Sequence, residues 1–355
     1  MGKGRKRKSI KMGLYRKHGK SGYIGRSLLL LAGLAALLLL VPIGIVQFFS
    51  ADRQEQKLVF DQVEVEAPEI LVWLEESDTT VSVPLEEYIA CVVSEEMPAS
   101  FHPEALKAQA VAARTYSVAR TLNFTPVENP QGHQKAALCN TTHCQVYQTQ
   151  EQIRQNRSEE WMEEYWPKIC HAVEMTAGQV MYYDGKLAGQ AMFHSSSGGK
   201  TENSEDVFAS AVPYLRSVDS PYEEGATHQN ETVRVDIDQA VQLINSQLQG
   251  TQVTREEVEQ MQVVARSSGN RAQSVQIGSV TMTGRELRSL FGLSSSKFDV
   301  SVEDDKLVFI SNGYGHGVGL SQYGANGMGE KGYRYDQILE HYYTGIQLRT
   351  LQNAG

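Results

Sequence analysis

The sequence lacks the short motifs that mark several common classes of enzyme. It contains no Gly-x-Ser-x-Gly elbow, which argues against a serine nucleophile. In the segment 194–201, His194 stands where a phosphate-binding P-loop needs its first glycine. The glycine-rich stretch 313–329 does not lie in a strand-to-helix unit that is followed by an acidic residue, so a dinucleotide site is not expected. Serine-hydrolase and nucleotide-dependent functions are therefore disfavoured.

Acidic residues are missing from positions 1–26, which hold six lysines and four arginines. Residues 27–49 then form an almost unbroken apolar segment, close to the roughly 20 residues that a helix needs to cross a bilayer core. Because positive charge stays on the cytoplasmic side, we expect a single-pass anchor in the cell membrane with a cytoplasmic N-terminus. A cleaved signal peptide is the alternative, but its apolar region is normally shorter and residues 47–51 make a poor cleavage site.

The chain beyond this basic tail is acidic. Removing the tail's ten positive charges from the net charge of −9 leaves −19 for residues 27–355. Such a surface is unsuited to binding nucleic acid or another anionic polymer through bulk charge, so no nucleic-acid partner is expected. We expect residues 50–68 to form a short stalk and residues 69–352 an extracytoplasmic domain, either one large unit or two packed lobes around a cleft.

The order of apolar patterns predicts an α+β fold without internal repeats. Alternation predicts one or two strands at 70–83, and helical spacing predicts a helix that starts at Leu85. Pro103 suits the first turn of a second helix. The later segments are expected to be an irregular loop at 123–150, a helix at 157–176, a β-hairpin at 180–193, short helices at 233–266, strands at 298–310, and a glycine-rich loop followed by a short helix.

Glu96 is the candidate catalytic acid. It lies three helical turns after Leu85, on the apolar side of the first helix, where burial favours the protonated carboxyl. The partial negative charge at a helix C-terminus also raises the pKa of a carboxyl group. Lys107 and Arg114 are seven residues apart on the second helix and share a face that can hold substrate, whereas Glu95 is expected to face solvent. A solvated surface glutamate is the alternative interpretation of Glu96.

A cluster of thiols and imidazoles lies between the second and third predicted helices. Two cysteines and two histidines within twelve residues can supply four tetrahedral zinc ligands, although the spacing is not that of a standard zinc finger. The candidate ligands are His133, Cys139, His143 and Cys144. A Cys139–Cys144 disulfide is the alternative outside the cytoplasm.

Two polar loops are candidate walls of a substrate cleft. In the first, His194, Ser195 and Ser196 follow the predicted hairpin strand. In the second, glycines permit close backbone approach to a ligand or to another loop. Its candidate binding residues are His316, Ser321, Gln322 and Tyr323, of which Tyr323 can stack on a sugar face. Ordinary polar or structural turns are the alternative for both loops.

Two long motifs give the chain a family resemblance. Residues 96–116 contain Glu-Met-Pro followed by a Glu-Ala-Leu-Lys-Ala-Gln-Ala-x-Ala-Ala-Arg-Thr-Tyr helix, and residues 312–325 read Asn-Gly-Tyr-Gly-His-Gly-Val-Gly-Leu-Ser-Gln-Tyr-Gly-Ala. Both resemble the signatures of the stage II sporulation protein D family, which is related to a modifier of a cell-wall amidase. The resemblance implies a peptidoglycan lytic transglycosylase with Glu96 as its acid and Lys107 and Arg114 in support. It also implies that the glycine loop, the glycine-rich part of residues 312–325, faces Glu96. It favours a structural zinc site as well.

The count of carboxylates agrees with the implied reaction. A typical glycosidase needs two carboxyl groups at set separations, one of which activates water or attacks the sugar. A lytic transglycosylase needs one acid, because the muramic C6 hydroxyl closes an anhydro ring in place of water. Glu104, Glu202 and Asp206 are the available second acids if the reaction is hydrolysis.

The resemblance also implies a biological setting. It points to glycan strands stripped of stem peptides as substrate and to stage II sporulation proteins P (an amidase) and M as partners. The protein would then act during forespore engulfment, from the mother-cell membrane facing the septum. A non-catalytic glycan-binding activator of an amidase is the second hypothesis, and a zinc-dependent wall hydrolase is the third.

Overall fold

The computed structural model describes residues 69–123 and 135–351. The basic tail, the apolar segment 27–49, the stalk and His133 lie outside these ranges, so the expectations made for them stay predictions. Within the described ranges, no helix has both the length and the apolar character needed to cross a bilayer.

The first of two lobes is built from residues on both sides of a long insertion. Its strands β1 and β2 form an antiparallel pair, β3 joins β1 in parallel, and β4 lies between β5 and the last strand of the chain. The elements before the insertion are β1 (Glu69–Leu74), β2 (Thr79–Pro84), α1 (Leu85–Glu96), α2 (Pro103–Leu122), β3 (Leu138–Cys139), α3 (Gln150–Asn156), α4 (Glu159–Glu174), β4 (Gln179–Tyr183), β5 (Lys186–Leu187), β6 (Phe193–His194) and a 3₁₀ turn (Ser204–Asp206).

The second lobe, called here the inserted lobe, has its own hydrophobic core. Its elements are β7 (Glu231–Asp236), α5 (Ile237–Gln247), α6 (Arg255–Glu259), β8 (Gln262–Arg266), β9 (Ala272–Ile277), β10 (Val280–Met282), α7 (Gly284–Phe291), β11 (Phe298–Glu303) and β12 (Lys306–Ser311). Two three-stranded sheets, in the orders β10-β9-β8 and β11-β12-β7, enclose the core together with these three helices. The chain then returns to the first lobe as β13 (Leu320–Ser321), α8 (Gln322–Glu330), α9 (Tyr335–Tyr342) and β14 (Gln347–Thr350).

Helices α1 and α2 form the centre of the first lobe. Helix α1 ends at Glu96 because Met97 is extended (φ −128°, ψ 137°) and Pro98 follows it. The imidazole of His102 caps α2 by accepting a hydrogen bond from the Glu104 backbone N–H, and Pro103 occupies the first turn as the sequence predicts. The alanines of α2 are buried and allow it to pack closely against α1, α4 and α8.

The predicted mixed α/β order is confirmed, with three local differences. The helix expected at 157–176 is preceded by α3, which Thr149 caps separately. The expected hairpin is shorter, since β5 ends at Leu187 and the chain then passes close to α2, where a Cβ on Gly189 would lie 2.6 Å from the Cβ of Ala119. The region 233–266 contains strands β7 and β8 as well as two helices, because two sheets cover the inserted core.

Candidate active-site cleft

A cleft of about 1050 Å³ lies on the first lobe and at its junction with the inserted lobe. The C-terminal end of α1 supplies part of its floor, and parallel pairing of β6 with β13 brings the two loops predicted as cleft walls side by side. The other lining residues lie in the segments 97–100, 142–145, 191–195, 227–228 and 314–316, in part of α4 and at the start of α8, together with Tyr116, Arg157 and Phe208.

Glu96 lies in this cleft as the last residue of α1, with its side chain partly buried. Burial raises the pKa of its carboxyl group, and the nearby charge of Glu95 adds to the rise. A hydrogen bond of 2.7 Å from the Val146 backbone N–H to Oε1 acts in the opposite direction. The side-chain amide of Gln322 donates a hydrogen bond of 2.8 Å to the backbone carbonyl of Glu96.

Glu95 also lines the cleft, so the expectation that it faces solvent is wrong. Its side chain is 10% exposed and forms a 3.1 Å salt bridge with Arg157. The guanidinium of Arg157 lies over the Trp161 ring, 5.1 Å from its centroid. The two consecutive glutamates therefore have different surroundings: Glu95 is paired with a cation, whereas the carboxylate of Glu96 accepts from a neutral backbone group.

Lys107 and Arg114 are not brought to the cleft. Arg114 is fully buried and binds Glu86 through both nitrogens of one edge, with Nε–Oε1 at 3.0 Å, and it also donates to the Gln179 carbonyl. Lys107 forms a 2.7 Å salt bridge with Glu104. Helix α2 packs against other elements on several sides. The face that Lys107 and Arg114 share therefore contacts the rest of the protein and does not line the cleft. This placement gives no support to a substrate-binding role for either residue.

Two histidines form one wall of the cleft. The ring centroids of His194 and His316 are 5.6 Å apart. His194 Nδ1 donates to the Val318 carbonyl at 3.2 Å, and His316 Nδ1 accepts from the Val318 N–H at 3.1 Å. Burial lowers the pKa of both, that of His316 to about 4, and the charge of Arg271 acts in the same direction. Both imidazoles are therefore neutral at physiological pH and serve as hydrogen-bonding groups without charge.

The remaining predicted cleft residues divide into lining and supporting groups. Ser195, Gln322 and Tyr323 line the cleft, and the Tyr323 ring packs edge-on against Phe101. Ser196 and Ser321 are buried and do not line it. Ser196 exchanges two backbone hydrogen bonds with Tyr314 of the glycine loop.

Glu223, which has no recognisable motif around it, holds in place the loop of residues 194–199, called here the serine loop. The residue is 4% exposed, and its carboxylate accepts hydrogen bonds from the backbone N–H groups of residues 197, 198 and 199 at 2.8–3.1 Å. It also accepts from the hydroxyls of Ser197, Ser220 and Ser321. The predicted cleft residue Ser321 thus acts through this carboxylate.

The thiol–imidazole cluster borders the cleft beside Glu96. Donor atoms of Cys139, His143 and Cys144 all lie within 4.8 Å of one another. His143 Nδ1 is 3.7 Å from the sulfur of Cys139 and 3.5 Å from that of Cys144. Ligand atoms of a tetrahedral zinc ion lie about 3.5 Å apart, so these three residues can hold a metal ion.

The two cysteines of this cluster are present as thiols. The hydrogen bond between them lowers the pKa of Cys139 and raises that of Cys144. Such a pair readily supplies a thiolate, the form that binds a metal.

Several cleft residues were missed from the sequence. The most prominent are Arg157, Trp161, Tyr165, His228 and Tyr314. Only two of them had a signal: Trp161 and Tyr165 are four apart on one face of α4, a spacing that core packing explains equally well. With one carboxyl group of raised pKa, two neutral imidazoles and aromatic rings, the cleft suits a polyhydroxylated ligand and proton transfer to it.

Comparisons with known proteins agree with the family resemblance. A family model described as Stage II sporulation protein matches residues 75–183. The chain is 34% identical to the stage II sporulation protein D of Bacillus amyloliquefaciens and 33% identical to that of Bacillus subtilis (strain 168), in each case over 90% of this chain and 94% of the relative. It is 29% identical to the amidase enhancer of Bacillus subtilis (strain 168), over 72% of this chain and 39% of that protein.

Proposed function

Since this chain belongs to the stage II sporulation protein D family, we propose that it is an endo-acting lytic transglycosylase that cleaves peptidoglycan glycan strands during sporulation. The observation that carries the proposal is the partly buried Glu96 in the cleft, whose raised pKa favours the protonated form. A general acid needs that form to donate a proton to a leaving group.

The proposed reaction needs only this one acid. Glu96 donates its proton to the glycosidic oxygen as the bond from that oxygen to the muramyl C1 breaks. The muramyl C6 hydroxyl then attacks C1, closes a 1,6-anhydro ring and returns its proton to the Glu96 carboxylate. The Val146 N–H, at 2.7 Å, stabilises the carboxylate that exists between the two proton transfers.

The distribution of carboxylates supports transglycosylation over hydrolysis. Glycosidases place two carboxyl groups on either side of the scissile bond. In the described part of the chain, the acidic residues that line the cleft are Glu95 and Glu96, which are neighbours at one end of α1. Glu104, Glu202 and Asp206, the second acids available from the sequence, lie outside it.

The finer parts of the proposal rest on the family. We extend it to strands without stem peptides as substrate, to partnership with the stage II sporulation proteins P and M, and to an anchor at 27–49 that places the domain outside the mother-cell membrane. Pull-down of each partner by the full-length protein and protease accessibility of the domain in membranes test these parts.

The metal part of the proposal is a structural zinc ion. Cys139, His143 and Cys144 would hold it, with His133 as the fourth ligand expected from the sequence. A bound zinc ion would fix the segment that carries Val146, only two residues beyond Cys144. Metal content and a thiol titration of the purified protein test this, and absence of both metal and reactive thiols at 139 and 144 would contradict it.

The central experiment is product analysis by mass spectrometry. Full-length protein is incubated with intact and stem-peptide-free peptidoglycan, and we expect anhydromuramyl products from the wild type and none from Glu96→Gln. Glu87→Gln is the matched control, because Glu87 is an exposed carboxylate on the same helix outside the cleft. Anhydro products from the Glu96 variant, or reducing-end products from the wild type, would overturn the proposal.

The similarity to an amidase enhancer favours a second candidate function, a non-catalytic glycan-binding activator. An activator would raise the activity of a peptidoglycan amidase equally well as wild type and as Glu96→Gln. The amidase assay with both proteins therefore separates the two functions.

A further inference from the structure

The side chain of Tyr314 is 46% exposed although it lines the cleft. Other aromatic side chains there, such as Trp161, Tyr165 and Phe208, are half-buried and pack against the core of the first lobe. A large ring that stays this exposed in a cleft is a candidate contact for a ligand.

The backbone around Tyr314 is held firmly. Its N–H donates to the Ser196 carbonyl at 2.9 Å and its carbonyl accepts from the Ser196 N–H at 3.2 Å. On either side, Gly313 and Gly315 have φ of 86° and 105°. A Cβ on Gly313 would lie 2.7 Å from the Ser196 carbonyl oxygen, so this approach requires glycine. The ring therefore projects from a backbone that is fixed before any ligand arrives.

One face of the Tyr314 ring is already covered. The imidazole of His228 stacks on it with centroids 4.4 Å apart and an interplanar angle of 26°. His228 is held in turn by a 2.9 Å contact between its Nδ1 and Glu231, and its carbonyl accepts from the Gly313 N–H at 2.7 Å. The exposed area of Tyr314 consequently belongs to its opposite face and its edge.

We propose that the open face of Tyr314, backed by His228, is a sugar-stacking subsite that binds a pyranose ring of the glycan strand. The face of an aromatic ring carries partial negative charge and attracts the C–H groups of the apolar side of a sugar, while the sugar hydroxyls stay solvated. The cleft volume of about 1050 Å³ leaves room for more than one ring beside Glu96. The inference rests on the proposed function, and the subsite contributes affinity without taking part in proton transfer.

The test compares three variants of the full-length protein. Tyr314→Ala removes the stacking face, Tyr314→Phe keeps it and removes only the hydroxyl, and Tyr333→Ala removes another exposed ring that lies outside the cleft. Binding of soluble, stem-peptide-free glycan chains is measured with each variant in a Glu96→Gln background, so that no cleavage intervenes. Thermal melting of each variant shows that it is folded.

We expect Tyr314→Ala to bind long chains about 3- to 10-fold more weakly, and Tyr314→Phe and Tyr333→Ala to bind as the unsubstituted protein does. With Glu96 present, Tyr314→Ala should raise KM by the same factor with a much smaller change in kcat. Unchanged binding by Tyr314→Ala, or an equal loss by Tyr314→Phe, overturns the subsite even if the protein proves to be a transglycosylase. A Tyr314-dependent affinity without any cleavage by the wild type supports the subsite and overturns the proposed reaction.

Discussion

At the scale of single residues, Glu96 lies in surroundings that disfavour a charge which it must carry for part of the proposed reaction. Burial disfavours its carboxylate, and the Val146 N–H offsets only part of that cost. Residues used as general acids commonly have pKa values shifted in this direction. The same surroundings have a consequence for stability.

We expect Glu96→Gln to be more stable than the wild type at neutral pH. The pKa of Glu96 is raised on folding, so the stabilising contribution of this group is complete below its unfolded pKa of about 4.3 and is lost as pH rises through the folded value. Glutamine does not titrate and keeps an oxygen that can accept from Val146. Urea unfolding across pH 4 to 8 should show a gain that shrinks towards acid, with Glu87→Gln unchanged. A gain that does not depend on pH would contradict this account.

Arg114 has the opposite kind of environment, a buried charge with complete pairing. Replacing it with Met leaves Glu86 without its cation and should cost about 3–5 kcal/mol of unfolding free energy. The control Lys135→Met removes an exposed salt bridge with Asp78 and should leave the free energy of unfolding nearly unchanged. Chemical denaturation measures both. If Arg114→Met kept its stability but lost glycan binding, the substrate role predicted from the sequence would be restored.

At the scale of elements, the cleft depends on loops that bind one another. The serine loop 194–199 and the glycine loop 312–319 are joined by backbone hydrogen bonds. The Glu223 carboxylate accepts hydrogen bonds from three consecutive N–H groups of the serine loop. A carboxylate that accepts this many bonds can shape a loop that has no regular secondary structure.

We therefore expect Glu223→Gln to loosen this wall of the cleft. The new amide has one acceptor oxygen instead of two, so at least one of the three N–H groups loses its partner at a cost of about 1–3 kcal/mol. Amide hydrogen exchange at residues 197–199 should accelerate, while exchange in α1 changes little. Glu224→Gln is the matched control, because Glu224 is exposed and adjacent in sequence. Equal exchange in both variants would show that the loop does not depend on Glu223.

How much of the fold and of the cleft could be predicted from the sequence depends on whether the contacts involved are local in the chain. Helices α1 and α2 were predictable because periodicity and Pro103 are local signals, and the position of Glu96 near the end of α1 followed from them. The pairing of Glu95 with Arg157 joins residues 62 positions apart, and no local pattern encodes it. The shared face of Lys107 and Arg114 was a valid helical inference, but tertiary packing decided that Arg114 is buried.

At the scale of the whole molecule, the inserted lobe contacts the cleft walls through Arg271. This residue is 3% exposed, lies 3.5 Å from the buried Glu202, and donates to the Ser197 carbonyl. Its guanidinium occupies the space that a side chain at Gly317 would need, where a Cβ would come within 2.3 Å. One side chain of the inserted lobe thus contacts both loops of the first lobe.

We expect Arg271→Met to cost about 3–5 kcal/mol, because it leaves Glu202 buried without a cation. The double variant with Glu202→Gln should lose less than the sum of the two single variants. Arg234→Met, which removes an exposed pair with Glu303, is the control and should change the free energy by less than about 0.5 kcal/mol. Additive losses in the double variant would show that Arg271 and Glu202 do not stabilise each other.

The inserted lobe leaves and rejoins the first lobe at a single point. Strand β7 pairs with β12 from Glu231 opposite Ser311, and the Gly313 N–H binds the His228 carbonyl. Two chain ends that are already fixed side by side tolerate changes of length between them at little entropic cost. Insertions and deletions in the parts of this lobe remote from Arg271 should therefore be tolerated, and sequence divergence within the family should concentrate there while Arg271, Glu96 and the cleft stay in place.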